Sequence, residues 1–513
     1  MRCNMSKTHD AKNKIIAKNT LSLYVRMVFV MIISLYSSRV ILNLLGVVDF
    51  GIYSVVAGFV SLFGFMTATL SSSMQRFYNF EGTAQGTVGY QKVYSTGLII
   101  HILSAVCLLI LLETGGLWYV NHIMVIPDDR VFAANILYQS IVISTISVML
   151  QVPYVGAVMA KERMGCYAAV SIVDSILKLA AVLSINFVKD YKLEFYSLLL
   201  CAESWVVFLM YYLYSKIQFK DLRFRWEYKF SCLKAILSFS WWNLWGTLAF
   251  MLRGQGVNMI LNYFFGPIVN AARGIAFQVN GAVTSFCSSV GTSFRPQIVN
   301  SCAENDESRV MSLMYTESKV CFFLAALIVI PIMIENDGIL AIWLGNAVPE
   351  NTGIFTNLVL IDALICSLNA PCTQVVFAVG NIKLYQILSS AVNICLLPFC
   401  VVLLKLGFSP SSSFYATIFF SIINQVVCLV ATSRLVKLSF SRYWKEVLKP
   451  SISVLILLPV IPYIVHSALP QSFMRIVAVL FADVIVAAAI GCFVVLDAKE
   501  RDYVFSLIPK IHD

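Results

Sequence analysis

Three arginines lie inside long apolar stretches of the sequence, at Arg26, Arg253 and Arg273. A charge at the centre of a membrane costs about 3 kcal/mol on insertion scales, so such residues mark either a function or a position near an interface. The planar guanidinium can bond two phosphate oxygens at once. We therefore predict that these arginines bind an anionic substrate. The alternative is that each one reaches an interface or caps a backbone carbonyl.

Polar residues accompany these arginines at helical spacing. Asn280 follows Arg273 by seven residues, and Ser54 and Ser61 are also seven residues apart. Residues at this spacing share one face of a helix. We predict that Ser54, Ser61 and Asn280 line the same hydrated chamber as the arginines.

Four further charged residues lie in apolar stretches. Asp174 and Lys178 are four residues apart, so they can pair on one helix face, whereas Glu203 and Asp362 have no evident partner in their own helices. A carboxyl in lipid either takes up a proton or binds a cation. We predict coupling or gating roles for all four; the alternatives are a structural ion pair, solvation in a cavity or pairing with an arginine.

The composition requires that membrane-spanning helices position these side chains. Of 513 residues, 59% are hydrophobic and only 12% are charged, against about 25% charged in soluble domains. The apolar residues form blocks of about 20 or more, the length needed to cross a hydrocarbon core. Continuous blocks predict helices rather than a barrel. An ordinary soluble enzyme is excluded.

The sequence predicts an all-α integral membrane protein with about fourteen spans. Their approximate limits are 19–43, 50–72, 94–119, 132–158, 166–188, 194–216, 233–262, 267–294, 312–334, 352–379, 383–405, 412–436, 450–468 and 473–496.

The positive charges predict the orientation of these spans. Lys and Arg concentrate before the first span, in the loops after spans 6 and 12, and in the C-terminal tail. Such loops face the cytoplasm, which places both termini there and explains the net charge of +10 without nucleic-acid binding. The first apolar block is too long for a signal peptide and lacks a cleavage site.

No sequence feature indicates catalysis or a cofactor. The chain has no P-loop, its fourteen cysteines form no CxxC, and its five histidines form no zinc pattern. The longest predicted outer loops, Thr114–Val131 and Glu335–Asn351, contain few acidic residues for a membrane polymerase or ligase. We predict a non-enzyme without a cofactor; an enzyme of that kind and a non-transporting scaffold are the weaker alternatives.

An internal repeat organises the spans. Shifting the sequence by about 218 residues aligns Gln151 with Asn369, Pro153 with Pro371 and Tyr167 with Tyr385. The shift covers six spans, and an even number preserves direction, so the halves are parallel repeats around a central cavity. The predicted domains are an N-lobe at 1–216, a cytoplasmic linker at 217–232, a C-lobe at 233–436, and spans 13–14 with the tail at 437–513.

The segment SRVILNLLGVVDFGIYSVVAGFVSLFGF, from Ser38 to Phe65, resembles the start of Wzx-like polysaccharide biosynthesis proteins. These are lipid-linked oligosaccharide flippases of the multidrug/oligosaccharidyl-lipid/polysaccharide exporter superfamily. Leu45–Tyr53 carries the specific resemblance, and the layout of six, six and two spans extends it over the chain.

The resemblance implies movement of undecaprenyl-diphosphate-linked repeat units from the cytoplasmic to the periplasmic leaflet of a bacterial inner membrane. The assembled product would be O-antigen, capsule or exopolysaccharide. It implies as partners the polyprenyl-linked glycan, membrane lipid, and polymerase and chain-length proteins, and the carboxyls Glu203 and Asp362 predict a coupling proton or sodium ion. Related flippases have cavity arginines on the first, second and eighth helices; Arg26 and Arg273 match two of these, whereas the second helix offers Ser54 and Ser61.

The expected mechanism is alternating access, in which the arginines hold the diphosphate while the prenyl tail stays in lipid. A cation-coupled multidrug antiporter with the same fold is the main alternative. That alternative expects acidic cavity residues, so the three arginines argue against it, whereas Glu203 and Asp362 keep it open.

Overall fold

The computed structural model describes residues 2–161, 163–219, 224, 244–380, 382–436 and 438–495, with the backbone alone over 2–25, over most of 72–87 and at 296, 303 and 346. Every regular element among these residues is helical. The all-α architecture predicted from the apolar blocks is confirmed. Most of the predicted linker, the start of span 7 and the tail from 496 lie outside the described residues.

The helices up to residue 265 are α1 (Arg2–Ser61), α2 (Gly64–Leu111), α3 (Leu117–His122), α4 (Val131–Ala160), α5 (Met164–Ser184), α6 (Lys192–Gln218), α7 (244–251) and α8 (Val257–Phe265). The later helices are α9 (Pro267–Ala303), α10 (Glu307–Ile334), α11 (Asn336–Leu344), α12 (Thr352–Val379), α13 (Lys383–Lys405), α14 (Ser412–Val436), α15 (Phe440–Tyr443), α16 (Lys449–Leu457), α17 (Val460–Ala468) and α18 (Phe473–Ile490).

Eleven helical segments among the described residues are long and apolar enough to cross a membrane. They include every predicted span except the seventh and eighth, and the first two predicted spans form one segment, Arg26–Ser61. Part of the seventh lies outside the described residues. The eighth, α9, is not among the eleven, and it has many Ser, Thr and Asn residues along its length.

Glycines with positive φ separate the first three spans. Gly46 has φ 82° and interrupts the helical path of α1, and Gly86 has φ 57° and interrupts α2. Glycine has no Cβ, so it adopts these values at little steric cost. The chain therefore turns at single glycines within helical stretches, where the sequence predicts loops at 44–49 and 73–93.

The chain divides into two compact units, Met1–Ala271 and Ala272–Asp513. In unit 1, α4 packs against α2 and α6, and α6 also packs against α5. In unit 2, α12 packs against α10 and α14, and α14 also packs against α13. These are equivalent helices under the predicted shift of about 218 residues, so each unit repeats the packing pairs of the other.

The boundary between the units falls later than the predicted boundary between the lobes, because α8 packs against the second half of α1. A Cβ at Gly51 would lie 2.0 Å from the carbonyl oxygen of Pro267, and a Cβ at Gly58 would lie 2.6 Å from the Gln255 side chain. Only glycine permits this close approach. The predicted lobes follow the sequence repeat rather than this packing, and they stay a prediction.

Candidate functional site

Arg26 is half-buried in the part of α1 that precedes Gly46. Its guanidinium carbon lies 4.7 Å from the ring centre of Tyr167 in α5. The negative face of an aromatic ring attracts a cation at this distance. The Arg26 Nε atom has no hydrogen-bond partner among the described residues. The ring therefore positions the cation while this donor remains available.

Asp174 and Lys178 form an ion pair along α5. The Lys178 Nζ atom lies 2.8 Å from one carboxylate oxygen of Asp174 and 3.0 Å from the other. Residues four apart on a helix face each other, which explains the contact locally. Glu203 of α6 is buried, and its carboxyl group interacts with both Asp174 and Lys178.

These residues line one cavity of about 320 Å³ inside unit 1. Arg26 comes from α1, Asp174 and Lys178 from α5, and Glu203 from α6, and α4 contributes Gln151. The sequence predicts that Arg26 binds the substrate and that Asp174, Lys178 and Glu203 serve in coupling or gating. The structure places the predicted substrate-binding residue and these three residues around the same cavity.

The positive and negative charges of the four charged groups in this cavity cancel. Arg26 and Lys178 are cations, and Asp174 and Glu203 are acids, so the formal charge is zero when all are ionised. Charges interact more strongly in a partly desolvated site than in water. An anion that enters next to Arg26 would therefore favour the uptake of a proton or a cation by the two carboxyl groups.

Ser54 and Ser61 lie in the second half of α1 and do not line this cavity. The Ser61 hydroxyl is exposed and donates to the Gly58 carbonyl at 2.8 Å. The Ser54 carbonyl accepts from the Asn258 amide at 3.3 Å, and Asn258 in turn accepts from Asn270 at 2.8 Å. Ser54 therefore contributes its backbone to a buried amide network that holds α8 to α1.

Arg253 lies in a π-helical turn, Leu252–Gly256, between α7 and α8. It is half-buried, and its side chain is not free of interactions. It does not line the cavity that contains Arg26. A π-helical turn is a common feature of functional positions, because it redirects one side chain out of the regular helical register.

Arg273 lies near the start of α9 and is only 5% exposed. Its guanidinium carbon lies 3.9 Å from the ring centre of Phe277, one turn further along. Asn280 is half-buried two turns after Arg273. Three exposed hydroxyls at four-residue spacing continue the same helix, at Thr284, Ser288 and Thr292. The buried cation is thus followed by an exposed polar stripe.

Asp362 of α12 has one partner in another helix and one in its own. The Ser421 hydroxyl of α14 donates to one carboxylate oxygen, and the Cys366 thiol, one turn along α12, lies 3.8 Å from the other. Asp362 belongs to unit 2 and does not line the cavity of Asp174 and Glu203. The two predicted coupling sites therefore belong to different units.

One buried acid, Glu317 of α10, is not predicted from the sequence. It has no exposed surface, and its Oε1 atom accepts from the Gln374 amide of α12 at 2.7 Å. A Cβ at Gly291 of α9 would lie 3.1 Å from the same oxygen. Glu317 lies inside its predicted span, and this position is the one signal in the sequence that it could be buried. The residue is close to the start of the span, however, where the sequence alone does not distinguish a buried acid from one at the membrane interface.

The sequence matches no protein-family model and no curated relative. Solved structures match the fold along the chain. A structure of the lipid II flippase MurJ, in an inward closed conformation, has a TM-score of 0.69 at 12% identity and covers 95% of this chain and 100% of its own.

Multidrug transporters of the MATE family match over less of the chain. The transporter DinF-BH has a TM-score of 0.62 at 15% identity and covers 83% of this chain and 97% of its own. An inward-facing MATE transporter of the MOP superfamily has a TM-score of 0.56 at 12% identity, with shares of 82% and 96%.

The chain has the MurJ/MATE-like fold. At these identities the likeness concerns the fold, since one fold can host different functions. Within the MurJ/MATE-like fold, the described residues place Arg26, Asp174, Lys178 and Glu203 in unit 1, and Arg273, Asn280 and Asp362 in unit 2.

Proposed function

We propose that this protein is a flippase for undecaprenyl-diphosphate-linked oligosaccharide repeat units. It moves them from the cytoplasmic to the periplasmic leaflet by alternating access, for O-antigen, capsule or exopolysaccharide assembly. The observation that carries this proposal is the extent of the shared fold. The lipid II flippase structure covers 95% of the chain, whereas the MATE transporters cover 82–83% although nearly all of their own length is matched.

One buried and two half-buried arginines support an anionic head group. Arg26, Arg253 and Arg273 bind the diphosphate through charge-assisted hydrogen bonds, which replace part of the hydration that the phosphates lose. Asn280 and the exposed hydroxyl stripe of α9 bond sugar hydroxyls beyond the phosphates, and Ser54 and Ser61 add polar contacts. The prenyl tail stays in lipid next to spans 13 and 14.

The balanced charges in the unit 1 cavity support a coupling role. When the diphosphate approaches Arg26, the cavity gains negative charge, and Asp174 and Glu203 then take up a proton or a sodium ion. Lys178 can leave Asp174 and move towards the phosphate. Binding of substrate and of the coupling ion are thereby linked, because each offsets the charge of the other.

The cellular setting follows from this function. The protein lies in the bacterial inner membrane with both termini in the cytoplasm, and it is a transporter rather than an enzyme. A polymerase and a chain-length protein would act on the delivered repeat unit.

Complementation of a deletion strain tests the arginines. We expect Arg26→Ala and Arg273→Ala each to reduce surface polysaccharide about tenfold or more, because each removes a charge-assisted contact. The lipid-linked repeat unit should accumulate in the cytoplasmic leaflet. Surface polymer is measured by immunoblot, and the amount of protein in the membrane is measured in parallel.

Arg442→Ala is the matched control, because Arg442 is exposed, pairs with Glu446 and does not line the cavity of Arg26. It should support polymer export at the wild-type level. Wild-type export by the triple variant of Arg26, Arg253 and Arg273, at equal protein level, would reject this assignment.

A cation-coupled multidrug antiporter is the second function that a specific observation favours. Asp174 and Glu203 share a cavity with Tyr167, and carboxylates beside an aromatic ring suit an organic cation. This function predicts that the deletion strain becomes sensitive to cationic drugs while its surface polysaccharide is unchanged. The flippase predicts the opposite pair of results.

A further inference from the structure

A second cavity, of about 780 Å³, lies in unit 2 where α10 ends and α12 begins. We call it the Glu335 cavity. Its walls include Glu335, Asn336, Asp337 and Glu350, together with His466 at the end of α17 and Arg475 at the start of α18. The positive-inside distribution of Lys and Arg predicts that this end faces the periplasm.

Part of the wall is fixed by buried polar contacts. Glu335 is 2% exposed and accepts from the Arg475 guanidinium at 2.9 Å and from the His466 ring at 2.7 Å. These contacts join the two ends of the loop between α17 and α18 to the end of α10. These two partners compensate the charge of Glu335. The wall is therefore preorganised, and the Glu335 carboxylate is not an unpaired acceptor for a ligand.

An unsatisfied acceptor on Asn336 suggests that this cavity takes a ligand. It is 5% exposed, and its amide nitrogen donates to the Gly353 carbonyl at 2.7 Å and to the Asn357 side chain at 3.0 Å. Its amide oxygen has no hydrogen-bond partner among the described residues. A buried acceptor without a donor costs about 1–3 kcal/mol. A hydroxyl or amine donor from a ligand would remove that cost.

The remaining chemistry of the cavity narrows the ligand class. Asp337 and Glu350 are exposed and add acceptors, so a phosphate or another anion is disfavoured. The polar wall disfavours an apolar molecule. Among the described residues no three His, Cys, Asp or Glu side chains group closely enough to hold a metal ion. A neutral or amine-bearing molecule rich in hydroxyl donors fits best, and the volume lies in the range of ligand pockets.

We propose that the Glu335 cavity binds a saccharide. Asn336, Asp337 and Glu350 accept hydrogen bonds from its hydroxyl or amino groups, and the Glu335–Arg475–His466 cluster holds the wall in place. This inference rests on the proposed flippase function, because a glycan head group leaving on the periplasmic side would reach this end of the molecule. The cavity would then hold the first sugars to emerge.

Binding to an array of oligosaccharides from bacterial surface polysaccharides tests the proposal. The full-length protein is labelled and reconstituted in lipid nanodiscs. We expect saturable binding to at least one oligosaccharide, and a dissociation constant about tenfold higher for the double variant Asp337→Asn, Glu350→Gln, because hydrogen bonds to charged acceptors are lost. Both side chains are exposed, so the variant should keep the wild-type melting temperature.

Asp129→Asn is the matched control, because Asp129 is also an exposed aspartate in a predicted outer loop but does not line the cavity. It should bind like the wild type. Absence of binding to every oligosaccharide, or binding that the double variant leaves unchanged, would overturn the saccharide site.

Export assays in the same strains keep this test distinct from the proposed function. Normal polysaccharide export without glycan binding overturns the cavity alone. Glycan binding that the double variant weakens, in a protein whose deletion leaves export intact, supports the cavity and rejects the flippase.

Discussion

The side chain of Asn262 forms two hydrogen bonds with the backbone of Val125. The Val125 amide donates to Asn262 Oδ1 at 2.9 Å, and Asn262 Nδ2 donates to the Val125 carbonyl at 3.2 Å. Asn262 has no exposed surface. The Asn262 side chain thus takes the place of a backbone partner for Val125, which lies between α3 and α4. It anchors this connection to the end of α8 within unit 1.

We expect Asn262→Ala to lower the free energy of unfolding by about 1–3 kcal/mol, because it removes a fully buried side chain together with both hydrogen bonds that this side chain makes with the Val125 backbone. Thermal unfolding in detergent, followed by circular dichroism, measures the change. Asn135→Ala is the control, since Asn135 and Asn121 also share two side-chain hydrogen bonds but in an exposed setting. Equal effects of the two substitutions would contradict the importance of burial here.

Gly51 offers a second stability test. A Cβ there would lie 2.0 Å from the Pro267 carbonyl oxygen, so Gly51→Ala must displace the backbone. We expect a loss of about 1–3 kcal/mol in the free energy of unfolding. Gly165→Ala in α5 meets no atom within 4 Å and should be neutral or slightly stabilising, because alanine favours the helix. Unchanged stability of Gly51→Ala would show that α1 packs less closely against the first residue of α9.

The cavity of unit 1 predicts charge-dependent transport. Lys178→Met leaves Arg26 as the one cation against Asp174 and Glu203 among the residues that line the cavity, so we expect strong loss of polysaccharide export. Adding Asp174→Asn to Lys178→Met restores the charge balance and should recover part of the export. Complementation at matched protein levels measures both. If the double variant is as inactive as Lys178→Met, charge balance is not what the cavity requires.

Asp306 predicts a pH effect outside the membrane. Its carboxylate accepts from the Arg309 amide at 3.0 Å and from the Ser308 hydroxyl at 2.8 Å, and these hydrogen bonds lower the pKa of Asp306 from its usual 3.8. A lowered pKa in the folded state contributes stability above the unfolded pKa, and that stability is lost as the pH falls through the folded value.

We therefore expect the melting temperature of the wild type to fall more than that of Asp306→Asn as the pH decreases below about 4, because asparagine keeps the N-cap of α10 without a titrating charge. Differential scanning fluorimetry across this range measures the difference. If the melting temperatures of the two proteins fell in parallel with pH, the charge of Asp306 would not contribute to the stability of the helix cap.

The spans were predictable because membrane insertion depends on local hydrophobicity. Gly46 and Gly86 interrupt the helices between the first three predicted spans, and the repeat that aligns Gln151 with Asn369 recurs in the helix pairs that pack within each unit. The Asp174–Lys178 pair was also predictable, because both residues belong to one helix and their spacing sets the distance. Burial of Glu317 was not, because it depends on Gln374 and Gly291, which are far away in sequence.

The amino-acid sequence by itself determined that this chain is helical and apolar enough to span a membrane, where most of its spans lie, and which charged residues they carry, since hydrophobicity and helical periodicity are properties of neighbouring residues. Only the tertiary structure decided which charges of different helices come together. Arg26 joins Glu203 because α1, α5 and α6 pack together, and Glu335 joins Arg475 because α10 and α18 do. Packing between distant segments sets these contacts, and no local pattern records it.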